Sequence, residues 1–177
     1  MTTRTLSVLV QNRPGVLARI SGLFARRHFN INSLAVGPTQ DPAVSRITVV
    51  VAVDGRPLEI VVKQLHKLVN VLRVVELPDS SVERELVLIK VQATPGQRAE
   101  VMQIADVYRA SVVDVDHSSL VVEATGTSEK VASLEGMLRP YGISEMARTG
   151  CIALARGAAG LKPPCPPAVP LDRRTAS

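Results

Sequence analysis

Aromatic residues are nearly absent from this chain. There is no Trp, and Phe24, Phe29, Tyr108 and Tyr141 are the whole set among 177 residues. A sheet that reads nucleic acid by base stacking needs aromatics on its face, and both Phe residues lie in or beside an expected helix. Cysteine is also scarce. Cys151 and Cys165 make no disulfide framework, which points to a reducing cytoplasm. The longest apolar runs are five residues, Val49–Val53 and Cys151–Ala155. A membrane span needs about 20, so no spanning segment is expected, and the opening Met-Thr-Thr-Arg-Thr-Leu-Ser-Val has no charged-then-apolar leader. The three histidines, His28, His66 and His117, have no metal-ligand neighbours at useful spacing, and no phosphate-loop or nucleophile-elbow motif occurs. Asp114, Asp116 and His117 read as an exposed strand end. The chain is therefore expected to be non-catalytic by itself, with no cofactor of its own.

Charge gives a weaker signal. The net charge is +5, with a sequence pI of about 9.7. A basic pI raises nucleic acid as a partner. However, Lys162, Arg173 and Arg174 against Asp172 concentrate part of the excess in the last residues. No nucleic-acid partner is expected.

An internal echo is what the chain does contain. Val10-Gln11-Asn12-Arg13-Pro14-Gly15 recurs as Val91-Gln92-Ala93-Thr94-Pro95-Gly96, 81 residues further on, and such repeats are sought before a fold is assigned. In the first copy, Leu6, Val8 and Val10 alternate as in a strand. Val16, Leu17, Ile20, Leu23 and Phe24 then recur at helical spacing. A strand over Ile31–Gly37, a turn over Pro38–Pro42, and a strand through Ile47, Val49, Val51 and Val53 closed by Asp54-Gly55 follow. A helix carries Leu58, Val61, Val62, Leu65 and Leu68, and a last strand covers Val71–Leu77. The order β-α-β-β-α-β is the ferredoxin-like split unit. The second half repeats it with strands at 86–93, 111–116, 120–124 and near 143–147, and helices at 96–108 and through Val131, Leu134 and Leu138. The expected class is α+β, with two ferredoxin-like units over residues 3–78 and 82–157. Pro78–Ser81 reads as the linker, and residues 158–177 as a disordered Pro-rich tail.

A unit of about 75 residues has a limited core. Val50 and Ala52 lie on the strand side opposite Val49, Val51 and Val53. Apolar residues on both faces predict that a second subunit buries the other face, in a homodimer.

The loop Asn12–Leu17 is the candidate site. Asn12 is expected to cap the helix by accepting from the Gly15 N–H, and Gly15 admits a ligand close to the backbone. The amides of Gly15, Val16 and Leu17 would then face outward at the positive end of the helix dipole, suited to a carboxylate. The Asn12 side-chain oxygen would accept from an ammonium, and the pair describes an amino acid. On spacing alone the loop reads first as an ordinary capped turn. In the second copy Ala93 replaces Asn12 while Pro95 and Gly96 remain. The expectation there is a turn of unchanged geometry that has lost its polar group, so that the first unit alone binds. Asn30 and Asn32 flank Ile31 either as turn residues or with Asn30 closing the pocket across a dimer interface.

These residues resemble a known family. Asn12–Arg27 and Phe29–Gly37 look like an ACT domain, the amino-acid-sensing module. Ser45–Thr48, Lys63–Val71, Glu83–Leu86 and Ala147–Gly150 narrow the likeness, over about residues 3–157, to the small regulatory subunit of acetohydroxyacid synthase (acetolactate synthase). The resemblance implies a catalytic large subunit carrying thiamine diphosphate, FAD and Mg²⁺. It also implies activation by the small subunit and feedback inhibition by a branched-chain amino acid, most often valine. It places the effector loop at Asn12, Gly15, Val16 and Leu17, the segment from the other protomer at Asn30 and Ile31, and a pocket wall at Val36. His28 stands where the family commonly has Gly, and Asn32 where an acidic residue is common. A free-standing ACT-type sensor acting on transcription or another enzyme is the alternative.

Overall fold

The computed structural model describes residues 3–53, 58–157 and 160–161. Strand β1 (Thr3–Gln11) leads to helix α1 (Val16–Arg26), strands β2 (Ile31–Pro38) and β3 (Val44–Ala52), helix α2 (Leu58–Leu65) and strand β4 (Val71–Leu77). Strand β5 (Val82–Gln92), helix α3 (Arg98–Val107), strands β6 (Ser111–Val115) and β7 (Ser119–Gly126), helix α4 (Ser128–Leu138) and strand β8 (Ile143–Arg148) repeat the order. A short strand β9 (Ile152–Leu154) follows. These are two βαββαβ units with antiparallel sheets, ordered β2-β3-β1-β4 and β6-β7-β5-β8.

Each unit encloses its own core. In α1, Val16, Ile20, Leu23 and Phe24 are buried at helical spacing. They pack on Leu6, Val8, Val10, Ile47, Val49 and Val51, the alternate residues of β1 and β3. Val87, Ile89 and Val91 of β5 do the same against Val101, Val131, Leu134 and Leu138. Both first helices end alike. The Phe29 amide donates to Phe24 O at 3.1 Å and the Ala110 amide to Ala105 O at 2.8 Å. Each helix passes through a left-handed residue, His28 (φ 56°) or Arg109 (φ 50°), which is the Schellman C-cap.

The structure departs from the sequence reading on the open face of the first sheet. Strand β9 is not expected from the sequence, and β5 starts at Val82 rather than Leu86 because Val82–Arg84 pair with β9. Ser7, Leu9 and Thr48, which point away from the helices, are buried although only one chain is present. Part of the face assigned to a second subunit is therefore covered from within the chain, where β9 packs beside β1. Val50 lies in a polar cleft between the units, with Thr127, Thr149 and Cys151. Thr5 Oγ1 donates to Glu83 Oε1 at 3.0 Å, and Arg156 Nε to Ser80 O at 2.6 Å, across the same junction. The Asp54-Gly55 strand end and, save Gly160 and Leu161, the expected tail over 158–177 lie outside the described residues.

Candidate functional site

The loop between β1 and α1 is built differently from the sequence expectation. Asn12 does not cap the helix. Its Nδ2 donates to Pro42 O at 3.0 Å and its backbone amide to Ala43 O at 2.8 Å, which ties the loop to the β2–β3 turn. Gly15 is itself the N-cap, in the left-handed region at φ 81°, with no side-chain cap. A capping Asn needs its oxygen over the first helical turn, whereas the Gly15 reversal turns the chain before Asn12 can reach it. Asn12 Oδ1 has no hydrogen-bond partner among the described residues. The Val16 amide reaches Arg13 O only at a long 3.4 Å, and among the described residues the Gly15 and Leu17 amides make no hydrogen bond. Unpaired amides at a helix N-terminus carry the positive end of its dipole. The first turn of α1 holds no acidic residue to neutralise them.

The second copy does not keep this geometry. Gly96 is not in the positive-φ region, and the helix starts one residue later from Gln97 at φ −91°. Gln97 Oε1 accepts from the Thr94 amide at 3.2 Å and from Thr94 Oγ1 at 2.9 Å. The Arg98 amide, the counterpart of the unpaired Leu17 amide, donates to Thr94 O at 3.2 Å.

Sequence reasoning missed the polar brace behind the loop. Asn70 Nδ2 donates to Gln11 Oε1 at 2.8 Å, the Gln11 amide to Asn70 O at 2.9 Å, and Arg19 Nη1 to Asn70 Oδ1 at 3.0 Å. One asparagine thereby fixes the end of β1, the start of β4 and one face of α1. Its only sequence signal is its place in the Lys63–Val71 stretch.

The remaining candidates fall into two groups. Val36 pairs with Ile47 on β3, near the end of the sheet where the loop meets the β2–β3 turn, and is 49% exposed. Asn30 and Ile31 lie at the other end of β2, with Ile31 opposite Val51 and Asn30 Nδ2 donating to Asn32 Oδ1 at 3.0 Å. Five residue steps of strand separate Ile31 from Val36, roughly 17 Å. Within one chain, therefore, Asn12, Gly15, Val16, Leu17 and Val36 share one end of the unit, and Asn30 and Ile31 do not join them. β2 is an edge strand. Asp114, Asp116 and His117 are exposed. Among the described residues no group of His, Cys, Asp and Glu has metal-binding geometry, and no helix is long and apolar enough to cross a membrane.

The fold and loop define the class as an ACT-type module followed by a second βαββαβ unit, and comparison with known proteins agrees. Residues 6–73 match the family model described as the AHAS small subunit-like ACT domain, and residues 84–157 that of the small subunit of acetolactate synthase. The acetolactate synthase small subunit of Mycolicibacterium smegmatis is 52% identical over 160 residues, covering 90% of this chain and 94% of that one. That of Bacillus subtilis is 51% identical over 156 residues, covering 87% and 91%. The crystal structure of the Thermotoga maritima acetolactate synthase small subunit superposes with a TM-score of 0.83 at 35% identity, over 90% of this chain and all of that one. The chain belongs to the acetolactate synthase small subunit family.

Proposed function

We propose that this chain is a non-catalytic regulatory subunit that activates a catalytic acetolactate synthase subunit and makes it sensitive to a branched-chain amino acid, valine in the first instance. The carrying observation is the opening of α1, where the Gly15 and Leu17 amides and Asn12 Oδ1 stand unpaired together. Amides and helix dipole suit the carboxylate, and the carboxamide oxygen suits the ammonium. The aliphatic side chain would meet Val36 of the same chain and Ile31 of a second copy.

The division of the candidates along β2 supports a site shared by two chains. If two copies pair antiparallel along this edge strand, Asn30 and Ile31 of each come beside the loop of the other. Valine in the two seams then stabilises one dimer arrangement, and the second unit passes the change to the catalytic subunit, which carries the thiamine diphosphate, FAD and Mg²⁺. Coupling of about 1–3 kcal/mol suffices for strong inhibition, provided valine binds the two states unequally.

Calorimetry and reconstitution test this reading. Asn12→Ala should weaken valine binding at least tenfold and leave activation of the catalytic subunit intact. Joint loss of both, in a variant that still melts cooperatively, would contradict the separation of sensing from activation. Sedimentation should find a dimer, and a strictly monomeric chain that still binds valine would exclude the shared seam.

A further inference from the structure

The stretch Ser45-Arg46-Ile47-Thr48 carries part of the family likeness, yet Arg46 and Thr48 take no part in the site at α1. Both project from the opposite face of β3, since Ile47 and Val49 are in the helix-side core. There they line a pocket of about 430 Å³ with Ala35, Gly37, Val82 and Arg84, and with β9.

Arg46 and Thr48 lie beside small residues. Thr48 pairs with Ala35, and Arg46 with Gly37, across the β2–β3 ladder. A Cβ built at Gly37 meets nothing within 4 Å. The hollow thus exists because β2 presents no large side chain on this face. Its other walls are apolar. Ile152 and Leu154, two of the large apolar residues left exposed, line it from β9.

The charged residues at the pocket, Arg46 and Arg84, are both cationic. Arg46 Nη1 donates to Ser7 Oγ at 3.1 Å, and Ser7 is fully buried. That bond aims the guanidinium, while burial lowers its pKa. Arg84 Nη1 donates to the Glu83 carbonyl at 2.7 Å. Neither arginine forms an ion pair among the described residues, and no Asp or Glu lines the pocket. Thr48 lies on the same face and lines the pocket beside Arg46. A half-buried cation without a counter-charge is costly to keep, and an anionic ligand would supply that counter-charge.

We propose that this pocket is a second ligand site, which binds a short aliphatic carboxylate without an ammonium group. The carboxylate accepts from the Arg46 guanidinium and the Thr48 hydroxyl, with Arg84 at the rim, and the aliphatic body lies against Ala35, Ile152 and Leu154. An α-ammonium is disfavoured because no acceptor carboxylate lines the walls. β2 belongs to the first unit, and β5 and β9 are continuous with the second, so occupancy bridges the two. The site does not depend on the α1 loop.

Titration of the full ¹⁵N-labelled chain with isovalerate tests the proposal. Saturable shifts should centre on the amides of Ala35, Gly37, Thr48 and Ala153. Arg46→Met, which keeps an unbranched apolar stem and removes the charge, should weaken binding at least tenfold, as loss of a charge-assisted bond requires. Thr48→Val should weaken it severalfold, and Ala35→Leu should abolish it by filling the hollow. Asn12→Ala should leave isovalerate affinity unchanged, so failure of the valine site and failure of this one are distinguishable. Inorganic phosphate at matched ionic strength should not displace isovalerate. The proposal is overturned if isovalerate fails to saturate, if its shifts map to Gly15–Leu17 instead, if phosphate competes equally, or if folded Arg46→Met binds as well as the parent.

Discussion

Ser33 Oγ accepts a 2.7 Å hydrogen bond from the backbone amide of Cys151, 118 residues away. It joins the middle of β2 to the segment connecting β8 with β9. Gly150 makes the approach possible. It is left-handed at φ 81°, and a Cβ there would lie 2.9 Å from Leu34 O and 3.0 Å from Ser33 Oγ. Nearby, Thr149 Oγ1 accepts from the Leu86 amide at 3.1 Å, which holds the same segment to β5.

Gly150→Ala should therefore destabilise the chain by about 2–3 kcal/mol, since left-handed strain and a backbone clash add. Ser33→Ala should cost about 1–2 kcal/mol by leaving the Cys151 amide without its acceptor. Urea titration followed by circular dichroism measures both. A Gly150→Ala midpoint equal to that of the parent would show that the two units do not depend on this contact.

Gly15 and Gly96 share a sequence context and differ in backbone. Gly15→Ala should cost about 1 kcal/mol because it places a side chain at positive φ, although no atom lies within 4 Å of the new Cβ. Gly96→Ala should be neutral or stabilise by about 0.5 kcal/mol through the unfolded chain. Paired thermal melts read the difference, and equal effects would contradict the asymmetry of the two loops.

Acid should weaken the second unit through Glu135. Its carboxylate accepts from Arg139 Nη2 at 2.8 Å and from Arg148 Nη2 at 2.6 Å. The Arg139 hydrogen bond is the leading reason its pKa lies below the ordinary glutamate value, and partial burial opposes it. A depressed carboxylate contributes stability above the unfolded pKa and loses it as pH falls through the folded value. Melting temperature should thus decline below about pH 4.5, less steeply in Glu135→Gln. Parallel acid limbs for the two proteins would assign the decline elsewhere.

Cys151 should resist alkylation. Burial, followed by the charges of Glu83 and Glu85, pushes its thiol up to about 11. Reagents attack the thiolate, so peptide mapping after iodoacetamide at pH 8 should find Cys151 unmodified in the native chain and modified in urea. The folded state also loses stability as pH rises from the ordinary thiol range towards 11, because only the unfolded thiol ionises there. Rapid native labelling at pH 8 would show that the inter-unit segment opens readily.

Much of the architecture is legible in the residues alone. Alternation in Leu6, Val8 and Val10 and helical spacing in Val16, Ile20, Leu23 and Phe24 reflect local burial, which the chain pattern encodes directly. The fourth strand is read at Val71–Leu77 and found there. The candidate loop was legible as a location, but its hydrogen bonds were not. Asn12 bonds to Pro42, and Asn70 to Gln11 and Arg19, across separations of 30 to 59 residues, and no periodicity reports such partners.

The sequence by itself determined the two βαββαβ units, because hydrophobic period and turn residues act over a few neighbouring positions. The repeated C-caps at His28 and Arg109 show how far that local determination reaches. Only the tertiary structure decided that β9 would cover part of the first sheet, and that Gly15 would reverse the chain where Gly96 does not. It alone also left a hollow at Ala35 and Gly37 beside Arg46. Each of these depends on where distant segments meet: a three-residue strand such as Ile152–Leu154 has no preference strong enough to declare itself until β5 supplies its hydrogen bonds.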